Sequence, residues 1–147
     1  MTIQLDASAQ TSNKNLDSSE KLSLGWISAV RAYPSGEGSG DQGYHLSLEG
    51  KYLLIPNTII GNVGASVFYD YGSINQFKDP GSITMTTPNS YSLAGYGLGL
   101  NVLNQENYGI RFAWAKTIGS NSGSTTGKNA DGLTDSSRFL LSVNYGY

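Results

Sequence analysis

The stretch Val63-Gly64-Ala65-Ser66-Val67-Phe68-Tyr69-Asp70-Tyr71-Gly72 alternates between two kinds of residue, position by position. Successive side chains of a strand point to opposite faces. Val63, Ala65, Val67, Tyr69 and Tyr71 therefore make one apolar face, while Gly64, Ser66, Phe68, Asp70 and Gly72 make a second that is mostly small or polar. Phe68 and Asp70 share that second side, so the carboxylate points away from the greasy face.

The same two-residue period extends to either side. Upstream, Tyr44, Leu46, Leu48, Gly50, Tyr52 and Leu54 alternate with His45, Ser47, Glu49 and Lys51, which puts Glu49 on the polar face. Downstream, Ala94, Tyr96, Leu98, Leu100 and Val102 alternate with Gly95, Gly97, Gly99 and Asn101, a face that is nearly bare. Tyr108, Ile110, Phe112, Trp114 and Ile118 then oppose Arg111, Ala113, Ala115 and Thr117, with Lys116 near an end where it can snorkel. The chain closes on Phe139, Leu141, Val143, Tyr145 and Tyr147, opposed by Arg138, Leu140, Ser142, Asn144 and Gly146. Ile3, Leu5, Ala7 and Ala9 mark part of one further strand. The fold class is all-β, an antiparallel meander of about five to six strands.

Composition narrows the setting of that meander. Charged residues are 14% of the 147 residues, against roughly 25% in ordinary soluble domains. The 19 glycines and 10 tyrosines suit a barrel wall. Mean hydropathy is only -0.27, as expected when a wall gives every second residue to a polar lumen. No run approaches the ~18 apolar residues of a transmembrane helix. A net charge of -2 provides no basic field for nucleic acid, and the absence of Cys excludes disulfides and thiolate metal sites.

Connections alternate in length. Ile55-Pro56-Asn57-Thr58 and Asn104-Gln105-Glu106-Asn107 read as short turns, whereas Gly25 to Gly43, Ser73 to Ser90 and Gly119 to Ser137 are long and rich in Gly, Ser, Thr and Asn. Short periplasmic turns against long extracellular loops is the asymmetry of outer-membrane barrels. Transmembrane barrels start at eight strands, so a sheet of six is expected to need strands from elsewhere. Met1-Thr2-Ile3-Gln4-Leu5 lacks the cationic start and apolar core of a secretory signal, as expected of either a cytoplasmic protein or a piece of a longer one, and the strand pattern favours the piece.

The first long loop carries Val30-Arg31-Ala32-Tyr33-Pro34. A guanidinium can grip a carboxylate through two parallel hydrogen bonds, so Arg suits a loop tip that must dock in one pose better than Lys does. Asp70 and Glu49 are the acids expected nearest to Arg31.

Three segments together, Asn15 to Gly25, Val30-Arg31-Ala32-Tyr33-Pro34-Ser35-Gly36-Glu37-Gly38 and Gly40-Asp41-Gln42-Gly43-Tyr44, resemble the outer-membrane transporters of two-partner secretion. These form the haemolysin-activator and filamentous-haemagglutinin transporter family, of ShlB/FhaC/HecB type. The resemblance runs from about Asn15 to Tyr147 and includes an FxDxG motif at Phe68, Asp70 and Gly72 and the aromatic carboxy-terminal strand. It implies that residues 1–147 form the carboxy-terminal part of a sixteen-stranded barrel in the bacterial outer membrane. The earlier strands and two POTRA domains would lie outside this chain. It further implies a secreted exoprotein, a haemolysin or adhesin, as the partner that crosses the pore without ATP.

By the same resemblance, residues 26–43 are a lumenal loop and Arg31, Glu49 and Asp70 are its latch, supported by Val30, Tyr33, Phe68 and Gly72. Where the family carries glycines, this chain has Gly25-Trp26 and Ala29-Val30, and backbone conformations open to Gly alone are expected to be lost there.

Other chemistry finds little support. Ser122-Gly123-Ser124-Thr125-Thr126-Gly127-Lys128-Asn129 lacks the first Gly and the final Ser or Thr of a phosphate loop. Gly36, Gly38 and Gly40 do not follow a strand and open a helix as a dinucleotide fingerprint does. His45 is the single histidine and reads as a lumen-facing polar residue. Glu49 and Asp70 as a glycosidase pair would need more than two acids to recommend it. The expectation is therefore no catalytic residue, no metal and no cofactor. Two other readings remain open: a small soluble all-β binding module using its Tyr-rich face, and the barrel end of a related insertase.

Overall fold

The computed structural model describes residues 1–81, 83–104 and 108–146. Six long strands form one antiparallel sheet: β1 (Thr2–Gln10), β4 (Gln42–Thr58), β5 (Gly61–Asn75), β6 (Ser90–Leu103), β7 (Tyr108–Ile118) and β8 (Ser137–Tyr145), in the spatial order β1-β4-β5-β6-β7-β8. Between β1 and β4 the chain forms a small hairpin, β2 (Leu22–Ser23) with β3 (Ser39–Gly40). No helix occurs among the described residues.

Register follows the alternation. Ser47 lies opposite Asp70 and Glu49 opposite Phe68 across β4 and β5. Phe68 in turn faces Gly97, Gly97 faces Ala115, and Arg111 faces Ser142. Glu49, Asp70, Gly97, Arg111 and Asn144 consequently share one side of the sheet, because a two-residue period keeps parity through every pairing.

Two sequence-based boundaries move. Ile55-Pro56-Asn57-Thr58 is not a turn: β4 continues to Thr58, and Ile59 and Ile60 make the turn into Gly61. Register shifts between Leu53 and Ile55 and between Ile55 and Thr58 let the strand absorb Pro56, which has no N–H to give to the ladder. The loop expected over 26–43 also ends earlier, since Gln42 and Gly43 already pair with Asn75 and Ile74. The second expected turn falls on Gln105–Asn107, outside the described residues, as does Tyr147.

The three long connections, 11–41, 76–89 and 119–136, leave from the same end of the sheet. The first folds back over the sheet, and the core lies beneath it. Leu24, Val30, Ala32 and Tyr33 from the loop pack with Phe68, Ile74, Leu93 and Ala115 from the sheet. Full burial of a Leu or Val side chain contributes about 1.5–3 kcal/mol, so packing holds this loop as well as charge. The opposite face carries the larger apolar residues and leaves them bare: Val67 is 60% exposed, Leu98 56% and Leu141 70%. A contiguous apolar surface of that kind needs a partner other than water.

Candidate functional site

Strands β4 and β5 supply the fixed half of the site. Their register sets Ser47, Glu49, Phe68 and Asp70 side by side on the loop-bearing face. Next to them β6 offers Gly95, Gly97 and Gly99, and this bare row is room that other side chains fill. A Cβ on Gly95 would come within 2.6 Å of the Ala32 Cβ, and one on Gly99 within 2.4 Å of the Ser66 Oγ.

The loop supplies the other half. Its path is closed by its own backbone: Val30 N–H donates to Leu24 O at 2.8 Å, Trp26 N–H to Tyr33 O at 3.0 Å and Tyr33 N–H to Val30 O at 3.1 Å. Val30, Ala32 and Tyr33 point into the core, and the residue between them, Arg31, is thereby turned toward the acids. Leu24 seats against Gly72, where a Cβ would lie 2.5 Å from the Leu24 Cδ2. Trp26 sits at φ 96°. The glycine-like conformation expected to be lost at this position is therefore kept by a tryptophan, in a backbone region that costs a non-glycine residue about 1–3 kcal/mol. Ala29, by contrast, does not have a positive φ.

Arg31 is held from several directions. Its Nε donates to Asp70 Oδ2 at 2.9 Å and its Nη2 to Asp70 Oδ1 at 2.8 Å, a bidentate grip. Its backbone N–H also donates to Asp70 Oδ2, at 3.1 Å. Nη1 reaches Glu49 Oε2 at 3.2 Å, and Nη2 reaches Ser47 Oγ at 3.0 Å. The Ser47 hydroxyl in turn donates to Asp70 Oδ1 at 2.7 Å. The guanidinium carbon stands 3.5 Å from the centre of the Phe68 ring, a cation-π contact. Asp70 is fully buried. Burial alone would lower the Arg31 pKa, but the hydrogen bonds and charge of Asp70, then of Glu49, outweigh it and raise it above its ordinary value. The cation is thus permanent at any working pH.

Arg31, Glu49 and Asp70 therefore meet at one point, with Val30 and Tyr33 buried on the sheet side of the loop, Phe68 under the guanidinium and Gly72 under Leu24. Phe139, Leu141, Val143 and Tyr145 lie apart from this cluster, exposed on the apolar face of β8. Beside the loop tip, a cavity of about 450 Å³ opens between Ile27 and the sheet residues Gln4, Asp6, Glu49, Lys51 and Arg111. His45 is buried on the loop-bearing face, with Nε2 3.4 Å from Asp6 Oδ1. No cluster of three or more metal-ligating side chains occurs among the described residues.

The sequence reading missed several participants. Ser47 bridges Arg31 and Asp70, and its place two residues before Glu49 on the same face was the available signal. Asp41, fully buried, pairs with Lys21 Nζ at 3.0 Å and accepts the N–H groups of Leu16 at 3.2 Å and Lys78 at 2.8 Å. It ties the connection ahead of β2 to the one between β5 and β6. Asn15 and Asp79 reinforce that tie, Asn15 Nδ2 donating to Asp79 O at 2.7 Å and Asp79 N–H to Asn15 Oδ1 at 2.8 Å. Nothing in the spacing of these polar residues announces their partners.

Comparison with known proteins bears on this arrangement. The family described as haemolysin secretion/activation protein ShlB/FhaC/HecB matches residues 1–102. Among curated proteins, heme/hemopexin transporter protein HuxB of Haemophilus influenzae strain 86-028NP is 33% identical over 119 residues, which is 81% of this chain and 21% of that protein. A second HuxB of Haemophilus influenzae is 32% identical over 119 residues, with the same shares covered. The chain thus spans about a fifth of the length of these relatives, 21%. No solved structure matches it.

Proposed function

The chain belongs to the haemolysin secretion/activation family of two-partner secretion transporters, and from that premise we propose that it is the carboxy-terminal part of an outer-membrane β-barrel that passes a large exoprotein to the cell surface. The exoprotein is a haemolysin or adhesin, the bilayer of the outer membrane covers the apolar face, and strands and POTRA domains outside this chain complete the transporter. The role requires no catalytic residue, metal or cofactor.

One observation carries the reading: the sheet buries a charged loop on its polar face while leaving aliphatic and aromatic side chains bare on the other. A soluble module would place its core on the apolar side. In a barrel the polar side is the lumen, and a loop folded into it occupies space that a cargo must use. Arg31, Glu49 and Asp70 are then a latch that keeps the loop in one docked pose. Such a pair stabilises little overall, because desolvation offsets the Coulomb attraction, but losing one partner leaves a buried charge unmatched at a cost of about 3–5 kcal/mol.

The test uses a full-length transporter carrying these segments. Arg31→Ala should reduce secretion of the exoprotein while the barrel stays inserted, because the wall keeps its hydrogen-bonded strands. Arg31→Lys should rescue only in part. Normal secretion by Arg31→Ala together with failure of Asp70→Ala would show that the two do not act as one unit.

A further inference from the structure

The return arm of the docked loop carries a buried carboxylate that the Arg31 cluster does not use. Glu37, 6% exposed, accepts hydrogen bonds from Asn121 Nδ2 and from the backbone N–H of Ala130, each at 2.6 Å. Both donors belong to the connection between β7 and β8. The main chain of Glu37 is also fixed within the loop, its carbonyl accepting the N–H groups of Leu24 at 3.2 Å and Gly25 at 2.9 Å. The side chain therefore reaches outward from a braced position. Packing agrees with this contact: Gly123 of the same connection lies so close to the Tyr91 ring that a Cβ would come within 2.4 Å of it. Tyr33, beneath the arm, has its phenol pKa raised by burial and by the Glu37 charge.

We infer that Glu37 is a second anchor of the docking loop, binding the β7–β8 connection as a lid across it, so that the loop can leave the sheet only after Glu37 releases Asn121 and Ala130. The inference rests on the latch reading above. It adds a positioning residue that touches neither Arg31 nor its acids, and it joins the outer mouth to the lumenal dock through one carboxylate. A carboxylate at this position can receive both donors at once, one on each oxygen. An amide of the same shape can receive one and must turn an NH₂ toward the other.

The experiment uses a full-length transporter in the outer membrane, free of other cysteines, with Ala29→Cys, buried in the docked loop, as reporter. Glu37→Gln should raise labelling of that cysteine by a membrane-impermeant maleimide about tenfold, the change expected when one charged hydrogen bond is lost. Unchanged labelling would overturn the inference. In a second arm, Glu37→Cys and Ala130→Cys are joined by a short cleavable thiol crosslinker. Secretion should stop while the link is intact and return on reduction; full secretion through the intact link would overturn the inference. Heat-modifiable migration checks that each variant is a folded barrel. Arg31→Ala run in parallel separates the two ideas: normal secretion there removes the latch itself, whereas a secretion defect there beside a silent crosslink removes only the Glu37 anchor.

Discussion

Gly97 lies directly under Phe68: a Cβ added to Gly97 would come within 2.4 Å of the Phe68 Cζ, and within 2.1 Å of the Trp114 carbonyl oxygen. The same Phe68 ring carries the Arg31 guanidinium, 3.5 Å from its centre. The bare middle of β6 thus sets the height at which the cation sits above the sheet. Gly97→Ala should push the ring and loosen the loop by about 1–3 kcal/mol, the usual effect of overpacking. Hydrogen exchange of the Val30 and Tyr33 amides would read it. Gly50→Ala is the control, since its Cβ would meet only the Val67 Cγ2 at an ordinary 3.7 Å, and exchange there should not change.

Arg31 and Asp70 should behave as a coupled pair. Single substitutions to Ala each leave a charge without its partner, whereas the double substitution removes both. A double-mutant cycle on loop protection is expected to give a coupling of about 3 kcal/mol, reduced where lumen water reaches the site. Additive effects would mean that the bidentate geometry carries no joint energy.

Trp26 offers a gain. At φ 96° it is strained, and at 47% exposed it has little packing to lose. Trp26→Gly should stabilise the docked loop by about 1 kcal/mol, after the greater freedom of an unfolded glycine is subtracted. Slower exchange of the Tyr33 amide would show the gain, and faster exchange would show that the indole is held by contacts worth more than the strain.

Acid should loosen the long connections tied by Asp41. Burial pushes its carboxyl up, but the Lys78 N–H, the Lys21 ammonium and the Leu16 N–H together hold it below its ordinary value. A carboxylate depressed in the folded state contributes stability that is fully present above the unfolded pKa of about 3.9 and is lost as pH falls through the folded value. Protease nicking within residues 76–89 should therefore stay slow at neutral pH and rise only in strong acid. Asp41→Asn should make nicking faster at neutral pH and abolish the acid dependence.

The exposed apolar face predicts solution behaviour. Strands β1 and β8 each leave one edge unpaired among the described residues, and open edges beside bare Leu, Val and Phe side chains promote association. The chain expressed alone should aggregate in buffer and disperse in detergent. Monodisperse behaviour without detergent, by light scattering, would favour the soluble binding module instead.

How much of this was legible beforehand depends on the reach of each interaction. The strands and their two faces were, because alternation is a property of each strand on its own, and Asp70 and Glu49 declared themselves as acids on a polar face. The turn at Ile59 and Ile60 was not, since it depends on how far β4 slips against β5 to accommodate Pro56. The glycines of β6 read only as a bare surface, because the side chains that fill it come from Ala32, Phe68 and Ser66, distant in sequence.

The two-faced character of the long strands and the presence of an arginine able to meet two acids belong to the sequence alone, the faces fixed by a backbone that turns every second side chain the same way. The tertiary structure decided where the core lies, under the folded-back loop, and which groups complete the dock. Ser47 reaches Arg31 across 16 residues, Asp70 across 39, and Glu37 reaches Ala130 across 93. Contacts at such separations depend on register and on the path of the loop through space, and no local pattern encodes either.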